Sequence, residues 1–354
     1  MDRKSFGFFS FCLEIMSNFG KVFILYYTIM KKHAVLFGNG LNLLNGGISW
    51  SNLLKNISSG TLLTGIPNTL QYETIILATE FYLYEPLIDA NGDSLITSDG
   101  EELFVIDKPA EEEVKNKIKK ALENFKSNFA YERLGRLNVE HYITTNYDHT
   151  LYNQLCKDTF KKGDSNNTES LYSIRRKFGL KSKDGKSKFI WPIHGTIQHP
   201  KSIMLGLDHY CGSVGKINDF IKGKYEYSAD GESRHFKDLI ARLKNQECEN
   251  PLSWIDLFFT HDIHMIGLGL QFEEIDLWWI LNRRQRYIKR YANEKLITNK
   301  IYFYGNVGNK KKALLERLGV TVFPFRRKGL TPLVPSYYEQ QYQYFLDKIE
   351  KLCK

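Results

Sequence analysis

The chain is predicted to fold as an α/β protein, a parallel sheet with helices on both faces and with helical and hairpin insertions. Three observations predict it. Short apolar runs alternate along the chain with longer amphipathic stretches. Each run is continuous rather than alternating, as a strand buried on both faces requires. Several of these runs stop abruptly in glycine-rich or strongly polar turns.

The first strand is read over His33 to Phe37, ending in the turn Gly38-Asn39-Gly40. Helices are predicted around Trp50 to Ile57 and Leu70 to Tyr82. Leu87-Ile88, the turn Asn91-Gly92-Asp93 and Leu103 to Ile106 read as an inserted β-hairpin. Glu111 to Phe129 reads as one amphipathic helix, acidic at its start and basic further along, the order the helix dipole favours. A strand is expected near Val139 to Thr144 and a helix near Thr150 to Cys156. Lys161 to Lys188 are polar, basic and rich in Gly, Ser and Asn, and read as a long mobile loop. Phe189 to Ile193 is the next strand, followed by a helical stretch to about Asn245. The remainder reads as helix Pro251 to Thr260, strand Ile263 to Gly267, helix Glu273 to Tyr291 and strand Lys300 to Tyr304. Helix Lys310 to Leu318, strand Val320 to Phe323 and helix Tyr337 to Leu352 complete the chain. One domain is expected over 30–330, with insertions near 86–110 and 158–188, and a C-terminal helix at 331–354 packed on it.

Composition sets the class. With 354 residues, 42% hydrophobic and 25% charged, the chain has an ordinary globular balance and ample length to bury a core. Its net charge of +9 gathers in Arg175 to Lys188 and Arg283 to Arg290. Such runs are solvated faces in most proteins, and an accessory nucleic-acid contact is the alternative. The five cysteines include no C-x-x-C pair, so neither a zinc ribbon nor a disulfide framework is suggested, and a reducing cytoplasm is expected. His194, His199, Asp208, His209 and Cys211, like His261 and His264, match no metal motif, so no metal is expected. Apolar patches between Phe6 and Met30 are broken by Glu14, Asn18 and Lys21. They fall short of the roughly 20 residues of a membrane helix, and no membrane association is expected. Residues 1–29 read as an extension upstream of a start at Met30.

Ligands of parallel sheets bind beyond the carboxyl ends of the strands, so the turns there are the candidates. Gly38-Asn39-Gly40-Leu41-Asn42 would let a phosphate approach the backbone, although a turn needing positive φ explains a lone G-x-G as well. Thr144-Thr145-Asn146-Tyr147-Asp148 ends a β-branched strand in polar groups. An asparagine turn followed by an aspartate helix cap is the plain alternative. His194, bracketed by Pro192 and Gly195, stands at another strand exit. The run Ile263 to Gln271 brings Gly267 and Gly269 to a further exit, with Asp276 beyond.

In this order, VLFGNGLN followed by ISWSNLL, then TTNYD, IHG and IGLGLQFEEID resemble the sirtuin-like (SIR2-like) NAD-consuming family of bacterial anti-phage defence proteins. VLFGNG is also similar to the related abortive-infection AbiH proteins. The resemblance spans roughly His33 to Phe323 and implies a Rossmann-like, sirtuin-like fold. It implies NAD+ as substrate, with Gly38, Asn39, Gly40 and Asn42 in the glycine-rich loop and Gly267 and Gly269 along the dinucleotide. Thr145, Gly195 and Asn306 would add contacts, Asn306 at the adenosine ribose. Asn146, Asp148 and His194 would form the catalytic end. Deacetylating sirtuins carry a zinc module of two C-x-x-C pairs. Its absence from this sequence weighs against a deacylase and favours an NAD+ hydrolase releasing nicotinamide and ADP-ribose. The alternatives are a silent NAD or ADP-ribose sensor, a deacylase and an ADP-ribosyltransferase. The resemblance further implies abortive-infection defence, restrained by homo-oligomerisation or by a separately encoded partner.

Overall fold

Along β1 (His33–Phe37) every residue after the first is buried, and the strand divides its side chains between two cores. Ala34 and Leu36 enter one core while Val35 and Phe37 enter the other, the two-residue period of a strand covered on both faces. The computed structural model describes residues 31–354 apart from 59–61, 64, 87, 99, 101–103, 107–109, 167–168, 230–231, 327–331 and 333–335. The extension read over 1–29, and Leu87 and Leu103 of the expected hairpin, lie outside the described residues.

After β1 come the one-turn helix α1 (Gly40–Leu43), α2 (Trp50–Ile57) and α3 (Asn68–Leu83). The inserted hairpin is present, but its arms are β2 (Tyr84–Pro86) and β3 (Phe104–Ile106), paired antiparallel. The expected helix over Glu111 to Phe129 is two helices, α4 (Ala110–Leu122) and α5 (Phe129–Arg136). Asn128 separates them because its side chain accepts the Ala130 N–H and caps α5. β4 (His141–Thr144) and α6 (Thr150–Asp158) follow.

The expected mobile loop over Lys161 to Lys188 carries strands of the large sheet. β5 (Phe160–Lys162) and β6 (Phe178–Ser182) pair antiparallel, and β6 also pairs with β7 (Ser187–Pro192). Phe160 and Leu180 turn into the core while Lys161, Lys162 and Lys181 stay in water, so the lysines concealed a real edge. The helical stretch expected to Asn245 is also interrupted. α7 (Leu207–Ile221) stops at Gly223, whose φ of +71° suits glycine. A second hairpin, β8 (Glu226–Ala229) with β9 (Glu232–His235), precedes α8 (Leu239–Lys244). The remaining elements are α9 (Trp254–Thr260), β10 (Asp262–Ile266), α10 (Ile275–Arg290), β11 (Ile301–Tyr304), α11 (Asn309–Arg317), β12 (Val320–Phe323) and α12 (Tyr337–Leu352). These follow the sequence reading within a few residues.

The large sheet has the order β12-β11-β10-β1-β4-β7-β6-β5. From β12 to β7 all neighbours are parallel. This is the Rossmann-like doubly wound arrangement, and winding reverses between β1 and β10, where a crevice opens at the carboxyl ends. On one face α7, α9 and α10 pack around Phe220, Phe258 and Ile280. On the other, α5, α6 and α12 pack around Tyr131, Leu155 and Phe345. No described helix is long and apolar enough to cross a membrane.

Candidate active site

Two glycine turns interlock at the point of reversal. Gly40 N–H donates to the Gly267 carbonyl at 2.8 Å, and Gly38 N–H to that of Ile266 at 3.2 Å. A Cβ on Gly38 would overlap the Leu268 side chain; one on Gly40 would overlap the Tyr342 hydroxyl and the Gly267 carbonyl. Both glycines are therefore required for turn-on-turn contact. Gly267 is required also for its φ of +67°.

Above these turns lies a cleft of about 750 Å³, within the range of small-molecule and cofactor sites. Asn39, Gly40, Gly267 and Gly269 line its floor, Thr145, Tyr147 and His194 one end, and Asn306 the far end of the sheet. Trp50 and Asn68 also line the cleft. Tyr337, Gln341 and Tyr342 of α12 line it as well, the Tyr342 hydroxyl close to Gly40. The Asn306 carboxamide is occupied, donating to Tyr337 Oη at 2.6 Å and accepting the Phe325 N–H at 2.8 Å.

Not every predicted residue faces this space. Gly38, Asn42, Asn146, Asp148 and Gly195 lie outside the lining. Gly195, at φ +97°, packs against the Ser202 carbonyl and serves the turn after His194. Asn42, Asp148, Asn146 and Tyr131 form a polar cluster behind the wall. Asn42 Nδ2 donates to Asp148 Oδ2 at 2.8 Å, Tyr131 Oη donates to Asn42 Oδ1 at 2.5 Å, and Asn146 Nδ2 reaches Tyr131 Oη at 3.4 Å. Asn146 is 1% exposed and its Oδ1 has no hydrogen-bond partner. Asp148 Oδ1 accepts the Thr150 N–H, so it also starts α6 as the plain reading of that residue expected.

His194 has a partner that sequence spacing did not reveal. Its Nε2 is 3.0 Å from Oδ2 of Asp276, and Ser213 Oγ approaches the same oxygen at 3.4 Å. Asp276 sits in the first turn of α10, where its Oδ1 accepts the Leu277 N–H. Burial presses the His194 pKa down, but the charge and hydrogen bond of Asp276, with Glu274 beyond, carry it above the ordinary imidazole value. The tautomer that donates Nε2–H to Asp276 keeps its lone pair on Nδ1. Tyr210 meets the ring edge-on at 5.2 Å.

Glu274 is a second residue the sequence reading passed over. It lines the cleft, and burial, with Asp276 nearby, pushes its pKa up to about 7 against the pull of His194. Tyr210 and the tyrosines of α12 carried no motif, and Glu274, although inside the run IGLGLQFEEID, was given no role there. Only the topology brings them to the glycine turns.

Residues 140–247 match the SIR2-like domain. This SIR2-like segment runs from β4 through α8 and contains Asn146, Asp148 and His194, while both glycine turns fall outside it. It accords with an NAD-utilising protein. No curated protein matches the chain.

Proposed function

We propose that the chain is an NAD+ hydrolase that cleaves the nicotinamide–ribose bond to nicotinamide and ADP-ribose. The observation that carries this reading is the buried His194–Asp276 pair, opening on a cleft at the reversal point of the sheet. The glycine turns would admit the diphosphate close to the backbone, and the SIR2-like segment supports a nicotinamide dinucleotide as the substrate class.

The chemistry asks little of a general acid, because the nicotinamide leaves from a cationic nitrogen as a neutral molecule. Water attacks C1′ of the ribose as the C1′–N bond breaks, and the water's proton passes to His194 Nδ1. Asp276 holds the ring and stabilises the imidazolium that forms, the same division of labour as in other histidine–carboxylate pairs. Asn146 and Asp148 act as positioning residues that shape the Thr144–Asp148 turn from behind. By the resemblance of its motifs, the same proposal extends to abortive-infection defence in the cytoplasm, with the activity held in check by self-association or a partner protein.

A binding-only role, sensing NAD+ or an ADP-ribose derivative, is favoured by one observation: the Asn146 carboxamide is in the buried cluster and not on the cleft. Incubation of the purified full chain with NAD+, with products separated by chromatography, distinguishes the two. Nicotinamide and ADP-ribose from the wild type and not from His194→Ala are the expected result. Thermal stabilisation by NAD+ in both proteins without product would instead establish the sensor.

A further inference from the structure

Away from the cleft, three residues distant in sequence converge toward the amino ends of the parallel strands. His33 opens β1, His264 lies within β10, and Cys353 follows the last residue of α12. One nitrogen or sulfur atom from each lies within 4.8 Å of the other two. His33 Nδ1 is 3.1 Å from His264 Nε2, and Cys353 Sγ is 3.7 Å from the same nitrogen.

Those two separations are close to the edges of a tetrahedral zinc site. Zinc–nitrogen bonds of about 2.0–2.1 Å and zinc–sulfur bonds of about 2.3 Å place neighbouring ligands about 3.3 Å (N to N) and about 3.5 Å (N to S) apart. The other nitrogen of His264, Nδ1, is 2.9 Å from Tyr304 Oη. A proton donated there leaves the Nε2 lone pair directed at the cluster, the outer hydrogen bond that metal-binding histidines characteristically make. His264 is fully buried and Cys353 is 5% exposed, whereas His33 is half-buried. An ion would therefore be held from the inside and reached from one side, with a water completing the tetrahedron.

We propose that His33, His264 and Cys353 form a zinc site that fastens the end of α12 to the sheet. Two imidazoles and a thiolate suit zinc and not the oxygen-seeking magnesium or calcium. On binding, the Cys353 S–H bond breaks, a zinc–sulfur bond forms and the proton leaves to solvent. The site is independent of the reading of the cleft, but it bears on it mechanically, since Tyr337 and Tyr342 of the same helix line that cleft. The wide spacing of positions 33, 264 and 353 hides the set from any motif, so the sequence reading expected no metal.

Cobalt(II) is the probe. The full chain, reduced and stripped with a chelator, is titrated with Co²⁺ and followed by absorption. One equivalent should produce a thiolate-to-cobalt charge-transfer band that Zn²⁺ removes. Cys353→Ser should lose the band while keeping its circular dichroism. His33→Asn, at a half-buried position, should weaken cobalt binding at least about tenfold. Zn²⁺ should raise the melting temperature of the wild type and not of Cys353→Ser. Absence of the band with excess cobalt would overturn the proposal. So would a band that survives Cys353→Ser, since the metal would then sit on another of the five cysteines.

Discussion

His194 Nε2 and Asp276 Oδ2 lie 3.0 Å apart with side chains 2% and 0% exposed, although 82 residues separate them in the chain. The carboxylate raises the imidazole pKa against the effect of burial, and this sets the acid limb of activity. If His194 accepts the proton, turnover falls as pH drops through its pKa, which stands above 6.5 in the folded protein. Asp276→Asn removes the charge and leaves the burial, so the limb should move to lower pH as turnover falls. His194→Ala should lower turnover about 10²–10⁴-fold. The check is a pH–rate profile of NAD+ cleavage for the three proteins. A reduced rate with an unmoved limb in Asp276→Asn would mean that Asp276 only supports the fold.

Asn42 joins the first glycine turn to the Thr144–Asp148 turn. Its Nδ2 donates to Asn39 Oδ1 at 3.0 Å and to Asp148 Oδ2 at 2.8 Å, while its Oδ1 accepts from Tyr131. Asn42→Ala would leave the buried Tyr131 hydroxyl without an acceptor and should cost about 1–3 kcal/mol. Asn42→Ala and Asp148→Ala should be non-additive, with a coupling of about 0.5–3 kcal/mol. Urea denaturation of the two single variants and the double variant measures this, and strict additivity would show that the two turns are held by other contacts.

What the sequence made legible follows from period and punctuation. The runs at His33 to Phe37 and Val320 to Phe323 are bounded by glycine or polar turns, so the strands fall where read. Lys161 to Lys188 failed because a one-sided edge strand with lysines on its wet face has the composition of a loop. His194 was legible because Pro192 and Gly195 flank it at a strand exit. Asp276 stood within a recognised run, yet its pairing with His194 depends on how the start of α10 meets the exit of β7, which no local pattern encodes. The polar wall of α12 was invisible for the same reason: Tyr337 and Tyr342 sit on a helix that reads only as amphipathic.

Glu274 gives a pH dependence of stability separate from catalysis. Its pKa rises from 4.5 to about 7 on folding, so between those values the folded state holds a proton that the unfolded state has released. Stability from this group is present below 4.5 and is lost as pH rises toward about 7. Glu274→Gln stays neutral and can still accept the Gln271 N–H. Its melting temperature relative to wild type should therefore climb through that window and level off above it. A difference that does not change with pH would show that Glu274 ionises normally in the folded protein.

Arg242 and Asp256 form a buried ion pair outside the cleft lining, with Nη1 donating to Oδ1 at 2.7 Å and exposures of 1% and 0%. Asp256 Oδ2 accepts the Leu252 N–H at 3.0 Å, and the guanidinium lies over the Phe220 ring. Burial raises the Asp256 pKa, and the arginine opposes that rise. Arg242→Met preserves much of the volume but leaves a buried carboxylate unpaired, which should cost about 3–5 kcal/mol near neutral pH. Without the arginine, Asp256 takes up a proton more readily in the folded state than in the unfolded chain. The loss should therefore shrink as pH falls toward the ordinary carboxylate range. Adding Asp256→Asn should recover part of it, because the remaining polar group carries no charge. Denaturant unfolding at acidic and neutral pH tests both points. If Arg242→Met is equally unstable at every pH and Asp256→Asn brings no recovery, the arginine acts through its packing on Phe220 and its contact with Lys237, and not through the charge of Asp256.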